Sequence, residues 1–442
     1  MVAPTSIPQP VSAPSLEQET LQSLSKTVQS SVDIITKYLA ANNLPEPTFG
    51  DLNSPTLPLV PEIQLAKTKL IEATHALEAL TQTHRWDYCW KPMSNFLETV
   101  AVKVVATDFD VPNAMELNEE LSIKEICKRV KCDDEYKLLS CMRTTAQSFI
   151  FKETKPEHFV HTIYSVAFRD RKIASYGGVA GEDTYSAAAQ FTQSMKQHPN
   201  SSRTEEAPFA LANCPGKSYF QFLGEHPERL HRFGMAMEGT SLAAYELLKT
   251  LYPWNELGNG RLVDVGGGVG HVSLAIHSAN PSLAITVQDL APTIAQAKET
   301  FTSPKGADIT LEAHDFFEPQ TREADTYFFR HVIHDFSDEL SVKIIKNIVP
   351  QLKPWKEGRS RSEGSRIIVA EMILTPGARA PTDRHTVYMN MVMLSLLNAK
   401  ERDYAEFQAL FRKADPRFKT KLWGGEGIQG NKIVEAWIEE EE

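Results

Sequence analysis

Apolar residues recur at helical spacing along the first part of the chain. Leu21, Leu24, Val28, Val32, Ile35 and Leu39 share one face. Ser15 with Gln18 reads as a capping box ahead of them, and Asn42-Asn43 stops the run. A Pro-rich linker from Pro45 to Pro61 leads to a second helix through Ile63, Leu70, Ala73, Leu77 and Leu80. Helices so polar on one face need a partner: either the chain's own core or a second copy interleaved across a dimer.

From Phe96 to Phe168 the pattern tightens. A helix ending near Asp108 is followed by a helix over Ser122–Val130, a polar turn, a helix over Tyr136–Ala146, and two β-like pieces, Phe149–Phe151 and Phe159–Thr162. Helix, turn, helix and hairpin predict a winged helix. Its recognition helix carries only Lys137 and Arg143, beside Asp133, Asp134 and Glu135, so a phosphate-seeking face is not supported. Residues 183–200 read as helical, and Ser218–Met237 leads through another helix to Leu251. Met195, Met235 and Met237 in this connector either adapt around an apolar ligand or fill ordinary core.

Beyond Gly260 the period alternates between strand and helix. Strands are predicted at Arg261–Gly266, Leu283–Gln288, Asp308–Ala313, Ala324–Ile333 and Arg366–Glu371. Helices fall to Ala279 and over Ala291–Phe301, Ser337–Leu352 and Thr382–Leu397. This predicts a doubly wound α/β sheet with ligands at the carboxyl ends of its strands. Phe418–Trp423 and Asn431–Ile438, separated by Gly-rich turn residues, predict a C-terminal antiparallel hairpin at the sheet edge, and Trp355–Ser365 reads as a solvated loop. The expected domains are a tail over 1–14, a helical extension over 15–95, a winged-helix dimerisation domain over 96–215, a connector lining a pocket over 216–257 and a ligand-binding α/β domain over 258–442.

Length and charge narrow the classes. A chain of 442 residues exceeds what one core usually supports, and 42% apolar content is that of a folded protein. A net charge of −11 argues against nucleic acid or anionic membrane as a general partner. The five cysteines (89, 127, 132, 141, 214) form no C-x-x-C pair and no metal spacing, which points to reduced thiols in a cytoplasmic compartment. No run approaches a membrane span, and Met1–Pro14 lacks the Lys or Arg of a signal peptide, so a soluble protein with a frayed start is expected.

The chemistry concentrates around Leu262-Val-Asp-Val-Gly-Gly-Gly-Val-Gly270. A strand ending in glycines and passing into a helix lets a ligand approach the backbone while N–H groups point outward. A dinucleotide fingerprint wants glycine three positions after Gly268, where this chain has His271. The G-x-G-x-G form with Asp264 ahead of it resembles motif I of class I S-adenosylmethionine (SAM) methyltransferases, and Asp289, closing the next strand, fits an acid on the ribose hydroxyls.

His334, Glu371 and Glu401 fall near the strand ends of the same domain. Adjacent parallel strands put His334 and Glu371 on one rim, where a carboxylate can orient the imidazole and stabilise its protonated form. Glu401, beside Lys400 and Arg402, could also be a surface ion pair, and His331 reads as a structural residue on the strand itself.

Over about residues 95–442 the chain resembles the fungal branch of the plant caffeate-type, metal-independent O-methyltransferases. The resemblance rests on Arg330 through His334-Asp335-Phe336 (Phe where the family has Trp), Ala370-Glu371, Lys400-Glu401-Arg402, Asp289-Leu290, Asp315-Phe316, and Tyr219-Phe220 through Pro227-Glu228-Arg229. It implies SAM as cofactor, held by Gly266, Gly267, Gly268, Asp289, Leu290, Asp315, Phe316 and Arg330. It also implies a homodimer, no metal, and His334 as general base held by Glu371 and Glu401. An apolar, aromatic small molecule with a phenolic hydroxyl is the expected substrate. Some fungal relatives instead keep SAM as an electrostatic element and catalyse pericyclic ring formation; Arg330 and His161 would then polarise a substrate carbonyl.

Overall fold

The computed structural model describes residues 19–82, 85–304, 306–355, 364–375, 384–424 and 431–439. The expected tail, the Ser15/Gln18 cap, most of the loop after Trp355 and the C-terminal turn residues lie outside these. The chain divides into two units, residues 1–46 with 55–93, and residues 47–54 with 94–442. In the first, helices Leu21–Ala41 and Pro61–Thr81 pack through Ile35, Leu39, Ile63 and Ala66. Thr20 caps the first of them in a reciprocal pair with Ser23.

The longer stretch of the second unit, 94–442, begins within helix Arg85–Val102. Its first core gathers Val105, Ile123, Ile126, Leu138, Met142, Phe151 and Phe159. Helix Ile123–Val130 starts at a Ser122/Glu125 capping box, and helix Glu135–Gln147 starts at Asp134, whose side chain accepts from the Lys137 N–H. Three antiparallel strands complete this layer: β1 (Leu121–Ser122), β2 (Phe151–Lys155) and β3 (His158–His161), in the order β1-β3-β2. The first hairpin strand therefore starts at Phe151 and not Phe149, because Phe149 turns the chain at φ +60°. Lys137 and Arg143 both pair with acids, Asp134 and Glu153 respectively, each at 2.8 Å. The stretch expected as one helix over 183–200 is a π-turn, Val179–Thr184, followed by Tyr185–Ala189 and Phe191–Gln197.

The large sheet holds β4 (Arg261–Val265), β5 (Ala284–Asp289), β6 (Ile309–Ala313), β7 (Thr326–Arg330), β8 (Arg366–Leu374), β9 (Arg402–Asp403), β10 (Phe418–Trp423) and β11 (Asn431–Ile438). Its order is β10-β11-β8-β7-β4-β5-β6, with β9 pairing β8 off this path. Pairs from β8 to β6 are parallel, and β11 pairs antiparallel with both β8 and β10. The parallel strands read as unbroken apolar runs because helices cover both faces: Tyr327, Phe328, Phe329, Ile367, Ile368 and Val369 are all buried. From β4 the chain winds outward through β5 and β6, then returns to place β7 on the other side of β4. That reversal opens a crevice at the carboxyl ends of β4 and β7.

Passed over in the periodicity were β9 and helix Tyr404–Ala414, and, earlier in the chain, β1 and helices Arg171–Gly178 and Pro208–Asn213. Helix Tyr404–Ala414 is capped by Asp403 with Glu406 and buries Phe407, Leu410 and Phe411. β7 also stops earlier than expected, at Arg330, since His331 takes φ +51°.

Candidate active site

The glycine turn sits at the crevice. Gly266 and Gly267 donate to the Gln288 carbonyl at 2.8 and 3.0 Å, and Gly268 donates to Asp289 Oδ2 at 2.9 Å. Gly266 has φ +71°, and a Cβ there would meet Val332 Cγ2 at 2.8 Å. Gly268 has φ +60°, and the space where its Cβ would go is open to 4 Å. Asp264 is buried behind the turn, accepts from Ser273 Oγ at 2.7 Å, and burial pushes its pKa up to about 6. Asp289 stands at the rim with Leu290, whose side chain is 52% exposed. Phe316 packs beside Gly266 and against Phe317 and Phe336, while Asp315 accepts from the Phe317 N–H at 2.9 Å. Arg330 lies over the Tyr245 ring, 5.4 Å from its centroid.

Two residues beyond Val332, a short turn Ile333–Asp335 carries His334, which is buried. Its Nδ1 meets Glu401 Oε1 at 2.8 Å, and its Nε2 lies 3.5 Å from Asp335 Oδ1. Burial alone would lower the imidazole's pKa. The Asp335 charge, the Glu401 hydrogen bond and the charges of Glu401 and Glu371 outweigh it and raise the value to about 10. Burial pushes the neighbouring acids up too, Asp335 to about 6 and Glu371 to about 7.

Glu371 does not touch the ring it was expected to orient. Its Oε1 accepts from the backbone N–H groups of Val332, Ile333 and His334 at 3.2, 2.7 and 3.2 Å. The parallel register does bring the two residues to one rim, but the side chain of Glu371 is taken by the loop's own amides. Glu401 is no surface ion pair: it is 1% exposed, and its N–H is fixed by Asn390 Oδ1 at 2.9 Å. His331 lies past the strand, 5.1 Å from the His334 ring centroid to centroid, and its Nε2 pairs with Asn431 Oδ1 at 2.7 Å. His161 belongs to the β3 layer and is buried there, with Ser165 Oγ 2.8 Å from Nδ1 and the Met115 carbonyl 3.3 Å from Nε2. Asn390, Asn431 and Tyr245 were not read as site residues. Nothing in their spacing marks them, since each reaches the site only through the fold.

The O-methyltransferase domain family matches residues 196–416. The chlorophenol O-methyltransferase of Trichoderma longibrachiatum is 30% identical over 413 residues, covering 90% of this chain and 86% of the relative. The chain belongs to the SAM-dependent O-methyltransferase family. Among solved structures, OxaC in complex with S-adenosylhomocysteine (SAH) and oxaline superposes on the methyltransferase with a TM-score of 0.70 at 23% identity, covering 94% of this chain and 100% of that one. LepI in complex with SAM gives 0.72 at 18% identity, again covering 94% and 100%. These likenesses fix the fold, a class I methyltransferase sheet with a helical N-terminal region.

The methyltransferase's own residues fit the cofactor. The open side of Gly268, a carboxylate with spare lone pairs at Asp289, and an uncovered Leu290 offer backbone, anionic and apolar surfaces along one rim. Among the described residues, no group of three or more His, Cys, Asp or Glu is placed to hold a metal ion. No helix among them is long and apolar enough to cross a membrane.

Proposed function

We propose that the enzyme methylates a phenolic hydroxyl of an aromatic, polyketide-type secondary metabolite, with His334 as general base. The observation that carries this reading is the buried His334–Glu401 pair on a loop that leans, through Val332, against the glycine turn. Bound SAM supplies a methyl group on a sulfonium centre, open to in-line displacement by oxygen. The chain's task is to hold the hydroxyl and remove its proton. Nδ1 is committed to Glu401, so Nε2 takes the proton, and Glu401 steadies the imidazolium that forms. The Asp335, Glu401 and Glu371 carboxylates raise the pKa of this imidazole towards that of a phenol, so the neutral ring is a strong enough base to take the proton. Glu371 acts through the backbone of the loop. The relative acting on chlorophenol supports a phenolic acceptor.

Gly266, Gly267 and Gly268 face the donor, Asp289 and Leu290 take the ribose, Asp315 and Phe316 the adenine side, and Arg330 caps the donor. In the pericyclic alternative Arg330 and His161 would polarise a substrate carbonyl; the likeness to LepI fits that reading as well. We assign the unit around β1–β3 to a winged helix serving a homodimer. Helix Arg85–Val102 supports this, exposing Trp86, Trp90, Met93, Leu97 and Val100 at alternating steps of four and three. A cytoplasmic location is supported by five free cysteines.

Incubation with methyl-labelled SAM and a panel of phenols, chlorophenols included, tests the reading. Label is expected in an O-methyl ether product. A cyclised product without label would replace this function with the pericyclic one.

A further inference from the structure

Arg402 follows Glu401 and is among the largest fully buried side chains of the described residues, at 1% exposure. Its backbone is pinned as the first residue of β9, opposite Ile373 of β8. Its guanidinium reaches the segment that carries His334 through backbone carbonyls, where Glu371 takes the N–H groups. Nη1 donates to the Ile333 carbonyl at 3.0 Å and Nη2 to the Phe336 carbonyl at 2.8 Å. Nη2 also meets Ser341 Oγ at 3.3 Å, and Nε donates to Asp338 Oδ1 at 3.0 Å. The short turn is thus held at both poles, its N–H groups by an anion and its carbonyls by a cation.

We infer that Arg402 is a positioning residue for proton transfer, fixing the turn so that His334 Nε2 faces the substrate hydroxyl. This rests on the reading of His334 as base. A guanidinium is suited to the task because its planar fork reaches two carbonyls and a carboxylate from three separate nitrogens, where an ammonium would have to serve all three from one. Sitting one residue from Glu401, it also ties the partner of Nδ1 and the backbone beneath the ring to a single rigid point. A displacement of about 1 Å at such a point costs roughly 100-fold in rate.

Single-turnover rates with SAM pre-bound and a phenol acceptor, measured for Arg402→Lys, Arg402→Met, His334→Ala and Arg402→Lys/His334→Ala, test this. Arg402→Lys should slow methyl transfer by about 10- to 100-fold. It should leave SAM affinity and phenol KM within about twofold and displace the pH limb of the rate. The double variant should be no slower than His334→Ala alone, because a residue acting through the imidazole has nothing left to position. Losses that multiply, or a loss confined to SAM affinity or KM with the pH limb in place, would overturn the inference while leaving His334 as base. Full activity in His334→Ala would remove the base assignment and this inference with it.

Should neither Arg402 variant fold, Asp338→Asn loosens the same guanidinium from a half-exposed position. It should slow the wild-type background by roughly threefold or more and the His334→Ala background not at all. An unchanged rate in the wild-type background would overturn the inference.

Discussion

His334 has Glu401 on one ring nitrogen and Asp335 near the other, so in the donor-free protein it holds a proton far above the usual imidazole range. The raised value has a sign for stability. The folded state binds the extra proton between about 6.5, where a free imidazole titrates, and about 10. The stabilisation is complete below that window and lost as pH rises through it. Thermal unfolding without SAM should therefore show Tm falling from about pH 6.5 towards pH 10, and His334→Ala should flatten that fall. A Tm slope unchanged in the variant would mean that the imidazole is not the titrating group. Removing the anion on Nδ1 acts in the same sense: in Glu401→Gln the rising limb of kcat/KM should move to lower pH while kcat drops. At this scale the sequence revealed residue types and rims but not contacts. His334 and Glu401 could be named from their motifs, yet whether Glu371 reached a ring or a backbone depends on side-chain direction. Arg402 looked like a surface charge because nothing in Lys-Glu-Arg says which member is buried.

The glycine turn and the His334 loop are neighbours because β4 and β7 are, and Val332 touching Gly266 is the physical link between them. Two alanine substitutions separate fold from cradle. Both glycines have positive φ, so each substitution carries backbone strain of about 1–2 kcal/mol. Gly266→Ala adds a clash with Val332 and should lower Tm and methyl-transfer rate together. Gly268→Ala points its Cβ into open space, so the fold should survive while SAM affinity falls by roughly tenfold or more, read by calorimetry. Wild-type SAM affinity in Gly268→Ala would place the donor elsewhere. Most strands were legible here because buried parallel strands are long apolar runs between glycine and polar breaks. Helix Tyr404–Ala414 was passed over although its buried Phe407, Leu410 and Phe411 fall at helical spacing behind the Asp403/Glu406 cap. Strand ends at Phe149 and His331 were missed for one reason: each turns on a left-handed non-glycine residue that no composition rule marks.

Across the whole molecule, the doubly wound order sets where chemistry can happen, and the alternation of periods after Gly260 was enough to predict it. How the long amphipathic helices are used was left open by the same patterning, because an apolar stripe does not name what covers it. If the stripe on helix Arg85–Val102 meets a second copy, Trp90→Glu and Leu97→Glu should sediment at the 49.5 kDa of one chain, with wild type at twice that. A dimer unaffected by both would put the interface on another face. The central claim, that His334 removes the proton from a hydroxyl facing bound SAM, is tested most directly by the single-turnover methyl-transfer rate of His334→Ala across the neutral to alkaline range. The predicted result is a rate about 10²- to 10⁴-fold below wild type, with SAM affinity unchanged and the pH limb gone. A wild-type rate with the limb intact would contradict it.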